Sequence, residues 1–390
     1  MSGRRPSGDV GVVAAVVLVA LVLDFGLDRL VPYSSLRQLI LLAFCNIVIA
    51  VSLNAINGVA GQFSIGHAGF VGIGAYTAAI VATHLHDALG RGDPTFARSF
   101  VVVPLSVLAA ACFAGVFGVL VGLPSLRLKG DYLAIVTLGF AEMFRLVVAT
   151  AKLGEPETIG HAFAQIGGAH GVLGPMVHTL SVMVTSLGGQ NGYAGSDNLG
   201  VPAYAGPFWV IGGAAVVVMI ALRLKFSGWG RAVRALREDE IAAAAVGVDP
   251  TRYKVSSFVI AAAGGGVAGA LLALMRDGTP IVQPDSFGFQ ASFDAITMVI
   301  LGGSGSVSGA VLGGLFVTFT VKAIEEAQSA GIVLELRERF EWLDLNALRM
   351  ILYAAVLIAL MIARPSGLLG ESELFSIGAK RRRMAAPAHP

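Results

Sequence analysis

Charge is what this sequence has least of. Lys, Arg, Asp and Glu together make up 13% of its 390 residues, against 55% hydrophobic. A soluble domain carries roughly 25% charged residues, so the chain lacks the polar surface that would coat a water-soluble globule, and lipid is the solvent that suits it. Cysteine is scarce too. Cys45 and Cys112 both lie in apolar runs, where a free thiol serves as a small hydrophobe rather than a disulfide or metal ligand. No lysine is followed by Ser or Thr, which excludes a P-loop, so any ATP hydrolysis must come from a partner. A His-Glu-x-x-His zinc pattern and a Gly-x-Ser-x-Gly nucleophile elbow are also missing, which leaves a membrane enzyme poorly supported. A net charge of +2 gives no case for nucleic acid. Glycine, in contrast, is abundant: 50 residues in a chain of low charge fit helices packed closely through small residues, not disorder.

A bilayer core takes about 20 apolar residues of helix. On that measure the chain is an all-α, polytopic helical bundle of about ten spans. They fall near 9–27, 38–57, 66–85, 99–123, 131–151, 207–224, 254–275, 291–302, 308–324 and 346–364. The eighth is short, carries Asp294, and reads as a half-span that dips in and returns. The first follows Arg4 and Arg5 and ends at Asp24 and Phe25 with no small-residue cleavage site, so it reads as an uncleaved helix rather than a secretory signal. Placing Arg4 and Arg5 in the cytoplasm, with residues 1–8, orients the rest. The basic tail (365–390, with Lys380 to Arg383) then lies inside. So does the loop 225–253, with Arg223 at its edge and Lys225, Arg231, Arg234, Arg237 and Arg252 in it. That agrees with the enrichment of Lys and Arg on the cytoplasmic side. A long Gly- and Ser-rich loop, 152–206, falls outside.

Two stretches break the apolar pattern in the same way. Asn57 to Gly69, with Gln62, Ser64 and His67, follows the second span, and Gly302 to Gly309, with Ser304 and Ser306, follows the eighth. Paired Gly-interrupted segments point to a substrate path, because irregular backbone at membrane depth survives only where protein or a wet cavity satisfies it. His67 by itself can equally be a satisfied packing group. Glu142 and Arg145 stand three apart in a span, a spacing that favours mutual pairing over substrate contact. Asp294 either caps the half-span or faces the path. Small-x-x-x-small pairs, such as Gly118 with Gly122 and Gly265 with Gly269, predict close helix contacts.

The loop from Gly228 to Asp249 runs through a basic turn (Arg231, Arg234, Arg237), an acidic cluster (Glu238, Asp239, Glu240), small residues including Ala243, and a Gly247 stop. Taken alone it is either a solvated loop helix or a helix seated in a partner's groove, with the charges fixing its register. It resembles the cytoplasmic coupling ("EAA") loop of ABC-importer permeases, most closely the LivM-type branched-chain amino-acid permeases. Three further stretches resemble that family in the same order: Ser52 to Tyr76, Leu123 to Leu138 (with Thr137) followed by Glu142 and Arg145, and Ile300 to Gly313. The resemblance runs from about 40 to 365. It departs at Ile241, which separates Glu240 from the alanines, and at about 155–190, which is an insertion relative to that pattern.

The resemblance implies a permease subunit in a bacterial inner membrane, with both termini cytoplasmic. It implies no cofactor on this chain, with ATP and Mg held by two partner ATPases. It also implies a homologous LivH-type second permease and a soluble binding protein that delivers substrate. Branched-chain or related amino acids are the implied cargo, with urea, amides or aromatic acids as alternatives. Arg234, Arg237, Glu238, Asp239, Glu240, Ala243 and Gly247 are then expected to couple to the ATPase. Asn57, Gln62, Ser64, His67, Thr137, Ser304 and Ser306 are expected along the path. A secondary transporter would instead need an ion site, for which Glu142 and Asp294 are the candidates, and a passive channel would conduct without nucleotide.

Overall fold

The computed structural model describes residues 33–125, 131–150, 189–195 and 200–329, with isolated positions among 20–31 and 355–373. Apart from those isolated positions, the expected spans 9–27 and 346–364, most of the insertion and the Lys380 to Arg383 tail lie outside the described residues. What is described is helical throughout, with two isolated bridges in place of a sheet. The helices are α1 (Ser34–Asn54), α2 (His67–Ala88), α3 (Phe96–Ser125), α4 (Asp131–Thr150), α5 (Pro207–Phe226), α6 (Gly228–Glu238), α7 (Glu240–Ala245), α8 (Pro250–Ala273), α9 (Phe289–Gly302) and α10 (Val307–Ser329). Seven of these segments are long and apolar enough to cross a bilayer. α9, with 14 residues, extends about 21 Å and falls short of a core about 30 Å thick, as expected of a half-span.

α1, α2 and α8 form the centre. About 72% of the α2 span is buried inside the molecule, against 22% for α5, and α3, α4 and α5 carry the outward apolar face, including Leu108, Ile135, Met143 and Ile220. The centre is tight because α8 is rich in small residues. A Cβ on Gly269 would overlap the Val71 carbonyl of α2, and one on Gly118 of α3 would press on Ala262 of α8, so the predicted small-residue pairs sit in helix interfaces. Pro207 and Pro250 open α5 and α8, where a missing N–H does no harm. Asp249 caps α8 by accepting from Thr251 N and Arg252 N at 2.9 and 3.3 Å.

Contacts sort the connecting segments onto two ends. At one end Arg37 donates to both carboxylate oxygens of Asp277 (3.2 and 3.1 Å). There too Tyr193 exchanges backbone hydrogen bonds with Val282, and Val201 N donates to Pro280 O. Tyr76 Oη donates to Val282 O beneath them. Tyr193 and Val201 belong to the loop 152–206, which was read as external. The segments read as internal meet at the opposite end.

Candidate functional site

The two Gly-rich breaks meet at that second end. After α1 the chain runs through a π turn, Ala55–Val59, the irregularity that often marks functional positions in helices. Asn57 then closes the break: its Nδ2 donates to Ser64 O and its Oδ1 accepts from Ser64 N, both at 3.0 Å. Ile65 N donates to Thr137 Oγ1 at 3.1 Å, and that hydroxyl donates to Ala134 O. Asn57, Ser64 and Thr137 thus satisfy backbone that helix geometry has released. Gln62 Oε1 is buried with no hydrogen-bond partner. His67 opens α2, fully inside, with Nε2 2.8 Å from Ser52 Oγ.

The second break joins α9 to α10. Ser306 Oγ accepts from Gly309 N at 3.0 Å, while Ser304 is exposed. Asn54 ties the two breaks: its Oδ1 accepts from Gly305 N at 2.9 Å and its Nδ2 donates to Ser306 O at 3.1 Å. The joint is so close that a Cβ on Gly58 would overlap both Asn54 Oδ1 and the Gly305 backbone. Gly58→Val should therefore cost more than about 3 kcal/mol and show as loss of folded protein on size-exclusion chromatography. A monodisperse, fully active variant would disprove the contact.

Lys225, the next-to-last residue of α5, is buried here. Its Nζ donates to Gly305 O (2.6 Å) and to Glu373 Oε1 (2.5 Å). Glu373 in turn accepts from Val307 N (2.8 Å), Ser308 N (2.9 Å) and Ser308 Oγ, which caps the start of α10 from a distant part of the chain. Leu368 N and Leu369 N donate to Leu301 O and Gly302 O, so this segment straps the end of α9. Asn54, Lys225 and Glu373 were not among the expected site residues. Asn54 alone carried a local signal, an amide inside an apolar run.

The predicted coupling segment starts from the same place. α6 follows α5 after Ser227, whose hydroxyl accepts from Gly230 N. Arg237 Nη1 donates to Gly58 O at 2.9 Å, so this residue reaches back to the first break. Arg234 folds onto Gly230 O and Lys225 O. Asp239 caps α7 by accepting from Ile241 N and Ala242 N, and Glu240 pairs with Lys254 at 2.7 Å. Ala243 is buried and Glu238 exposed. Gly247, at φ 89°, ends α7 in a Schellman turn: Val248 N donates to Ala243 O and Gly247 N to Ala244 O. The exposed tip is apolar, with Ile241 84% and Val246 80% accessible.

Glu142 and Arg145 pair with each other, as their spacing predicted, and Arg145 also reaches Asp285 at 2.8 Å. Asp285 belongs to a loop at the end opposite the breaks and is 76% exposed, so its bond to Arg145 is a surface pair. Asp285→Asn should change stability by less than about 1 kcal/mol, read as an almost unmoved thermal midpoint. Asp294 is half-buried in the second turn of α9 and accepts from Gln290 at 3.3 Å. Neither acidic residue sits with the breaks, and no group of three or more His, Cys, Asp or Glu suited to a metal occurs among the described residues.

The sequence pattern of the family described as "Branched-chain amino acid transport system / permease component" matches residues 35–361. The high-affinity branched-chain amino acid transport system permease protein LivM of Escherichia coli K12 is 32% identical over 330 residues, 83% of this chain and 67% of that protein. A probable LivM of Methanocaldococcus jannaschii is 26% identical over 73% of this chain and 72% of its own. The E. coli permease protein LivH is 33% identical over 168 residues, 43% of this chain and 47% of its own. No solved structure gives a significant match. A profile spanning nearly all the described helices, together with seven apolar spans, leaves one assignment: this multi-pass membrane chain belongs to the family of branched-chain amino acid transport permease components.

Proposed function

We propose that the chain is the membrane-spanning permease subunit of an ABC importer that carries branched-chain or related amino acids inward. It pairs with a homologous LivH-type permease, is driven by two ATPase subunits that hold ATP and Mg, and receives substrate from a soluble binding protein. The likeness to both LivM and LivH supports a pair of related permeases. The breaks and the basic loop face the cytoplasm in this reading, in keeping with the concentration of Lys and Arg there.

The observation that carries the reading is the double attachment of the elbow between α5 and α7. Its tip offers Ile241 and Val246 to a partner. Its inner end holds the first break through Arg237 and Gly58 O, and the second through Lys225 and Gly305 O. A motion imposed at the tip is thereby delivered to both irregular segments together. An ATPase shifts the permease between outward- and inward-open forms only if it binds the two forms with different affinity, and an elbow bonded to both breaks gives it that leverage.

The test is leucine uptake into proteoliposomes holding the full complex. Uptake is expected to require ATP, both ATPase subunits and the binding protein, with urea, amides and aromatic acids as competitors that define the cargo. Uptake by this chain on an ion gradient alone would refute the reading in favour of a secondary transporter.

A further inference from the structure

A lateral crevice of about 300 Å³ lies between α1, α5 and α8, at the end of the bundle where the breaks meet. Val51, Val217, Ala221, Ile260 and Val267 line it, and Leu224, Lys225 and Trp229 stand where it reaches the α5–α6 elbow. It has room for about ten groups the size of a water molecule. Its wall offers almost nothing polar to a guest. Lys225 Nζ is engaged by Gly305 O and Glu373, Asn54 by Gly305 and Ser306, and Ser52 by Ile49 O and His67. A zwitterionic amino acid would lose its hydration there without compensation, and water needs two to four polar partners it would not find. A hydrocarbon chain pays neither penalty. The crevice borders the least covered of the described spans: Val216 and Ile220 of α5 are 48% and 50% exposed.

The elbow beside it is cationic. Arg231 Nη1 donates to Phe226 O at 3.4 Å, and Arg234 donates to Gly230 O and Lys225 O at 3.2 and 3.4 Å. Both guanidinium groups thus gather at the C-terminal end of α5, each with further donors to spare from the five it carries. Of the acidic residues nearby, Glu373 is committed to Lys225 and the α10 cap, Glu240 to Lys254 and Asp239 to the α7 cap, while Glu238 stands exposed one turn beyond Arg234. Trp229 stands between the apolar and cationic parts, its Nε1 donating to Ser256 Oγ at 2.8 Å, the placement that tryptophan favours at a membrane interface. We infer that this crevice holds one acyl chain of an anionic phospholipid whose phosphate is met by Arg231 and Arg234.

Trp229 serves as the reporter. The full chain carrying Trp209→Phe and Trp342→Phe is reconstituted in phosphatidylcholine nanodiscs containing a minor fraction of phosphatidylglycerol or phosphatidylcholine with brominated acyl chains, which quench tryptophan on contact. Brominated phosphatidylglycerol is expected to associate on the order of tenfold more strongly than brominated phosphatidylcholine, from two cationic side chains at the surface. Arg231→Gln with Arg234→Gln should remove that preference. Ala221→Phe should reduce quenching by both lipids to the level of bulk contact. Val217→Phe fills the same space from one helical turn away, so a folding failure of either variant, seen on size-exclusion chromatography, leaves the other to decide. Equal quenching by the two lipids overturns the inference, as does quenching that persists when the crevice is filled. Absence of quenching in the parent protein would show a protein segment, not lipid, against Trp229 and would overturn it equally.

Discussion

Lys225→Met is expected to release the second Gly-rich break and abolish uptake. Lys225 and Glu373 are 7% and 4% exposed, and removing one member of such a pair leaves the other charge buried without compensation, at a cost of about 3–5 kcal/mol. Glu373→Gln should act in the same direction but less severely, since an amide oxygen still accepts from one of Val307 N and Ser308 N. The two losses should not add, because both variants dismantle one network. The pair also predicts a pH dependence. Burial pushes the Glu373 carboxyl up, but Lys225, Ser308 and the backbone N–H of Val307 and Ser308 outweigh it and hold the group below its ordinary value of 4.5. A depressed acid contributes stability that is complete above its unfolded pKa and lost as the pH falls through the folded one. Thermal unfolding in detergent should therefore show an acid-side loss beginning below about pH 4.5 that is blunted in Glu373→Gln. Identical acid profiles would place the stabilisation elsewhere.

Ile241→Asp combined with Val246→Asp is expected to abolish ATPase docking without touching the fold. Both side chains are largely exposed, so their loss removes little from the permease itself. Burying each against a partner contributes about 1.5 kcal/mol or more. Replacing both with carboxylates should lower ATPase affinity by at least about a hundredfold, read as failure to co-purify at an unchanged thermal midpoint. Arg237→Ala isolates the other end of the elbow. It should still bind the ATPases and hydrolyse ATP, but with uptake per ATP reduced, because Gly58 O loses its link to α6. Normal uptake in these variants at wild-type expression would remove the elbow from the coupling route.

Much of the fold was legible because a membrane imposes it. Uninterrupted apolar runs of bilayer length became α1 to α5, α8 and α10, and the short run carrying Asp294 became the half-length α9. The breaks were legible as Gly and Ser between apolar pieces, and Gly247 as a helix stop. Side-chain assignments were harder, since a sequence pattern names a segment without giving the direction of its side chains. Arg234 and Arg237 turn back toward the membrane end of the elbow, while Ile241, which reads as an interruption before the alanines, stands at the exposed tip. Lys225 reads as one more basic loop residue, and nothing local distinguishes it from Arg223. Its partner Glu373 lies 148 positions away, a separation that neither periodicity nor spacing can bridge. Asn54 belongs to the same class: an amide four residues before Gly58, whose use depends on Gly305 in the other half of the chain.

The most direct measurement is the sidedness and protection of the tip. Ile241→Cys in a Cys112→Ser background, which leaves only the buried Cys45, is treated with a membrane-impermeant maleimide in inverted and in right-side-out vesicles. Labelling is predicted in inverted vesicles alone, and should be lost when the two ATPase subunits are bound. Labelling from the outer side, or labelling that bound ATPases leave unchanged, would contradict the account.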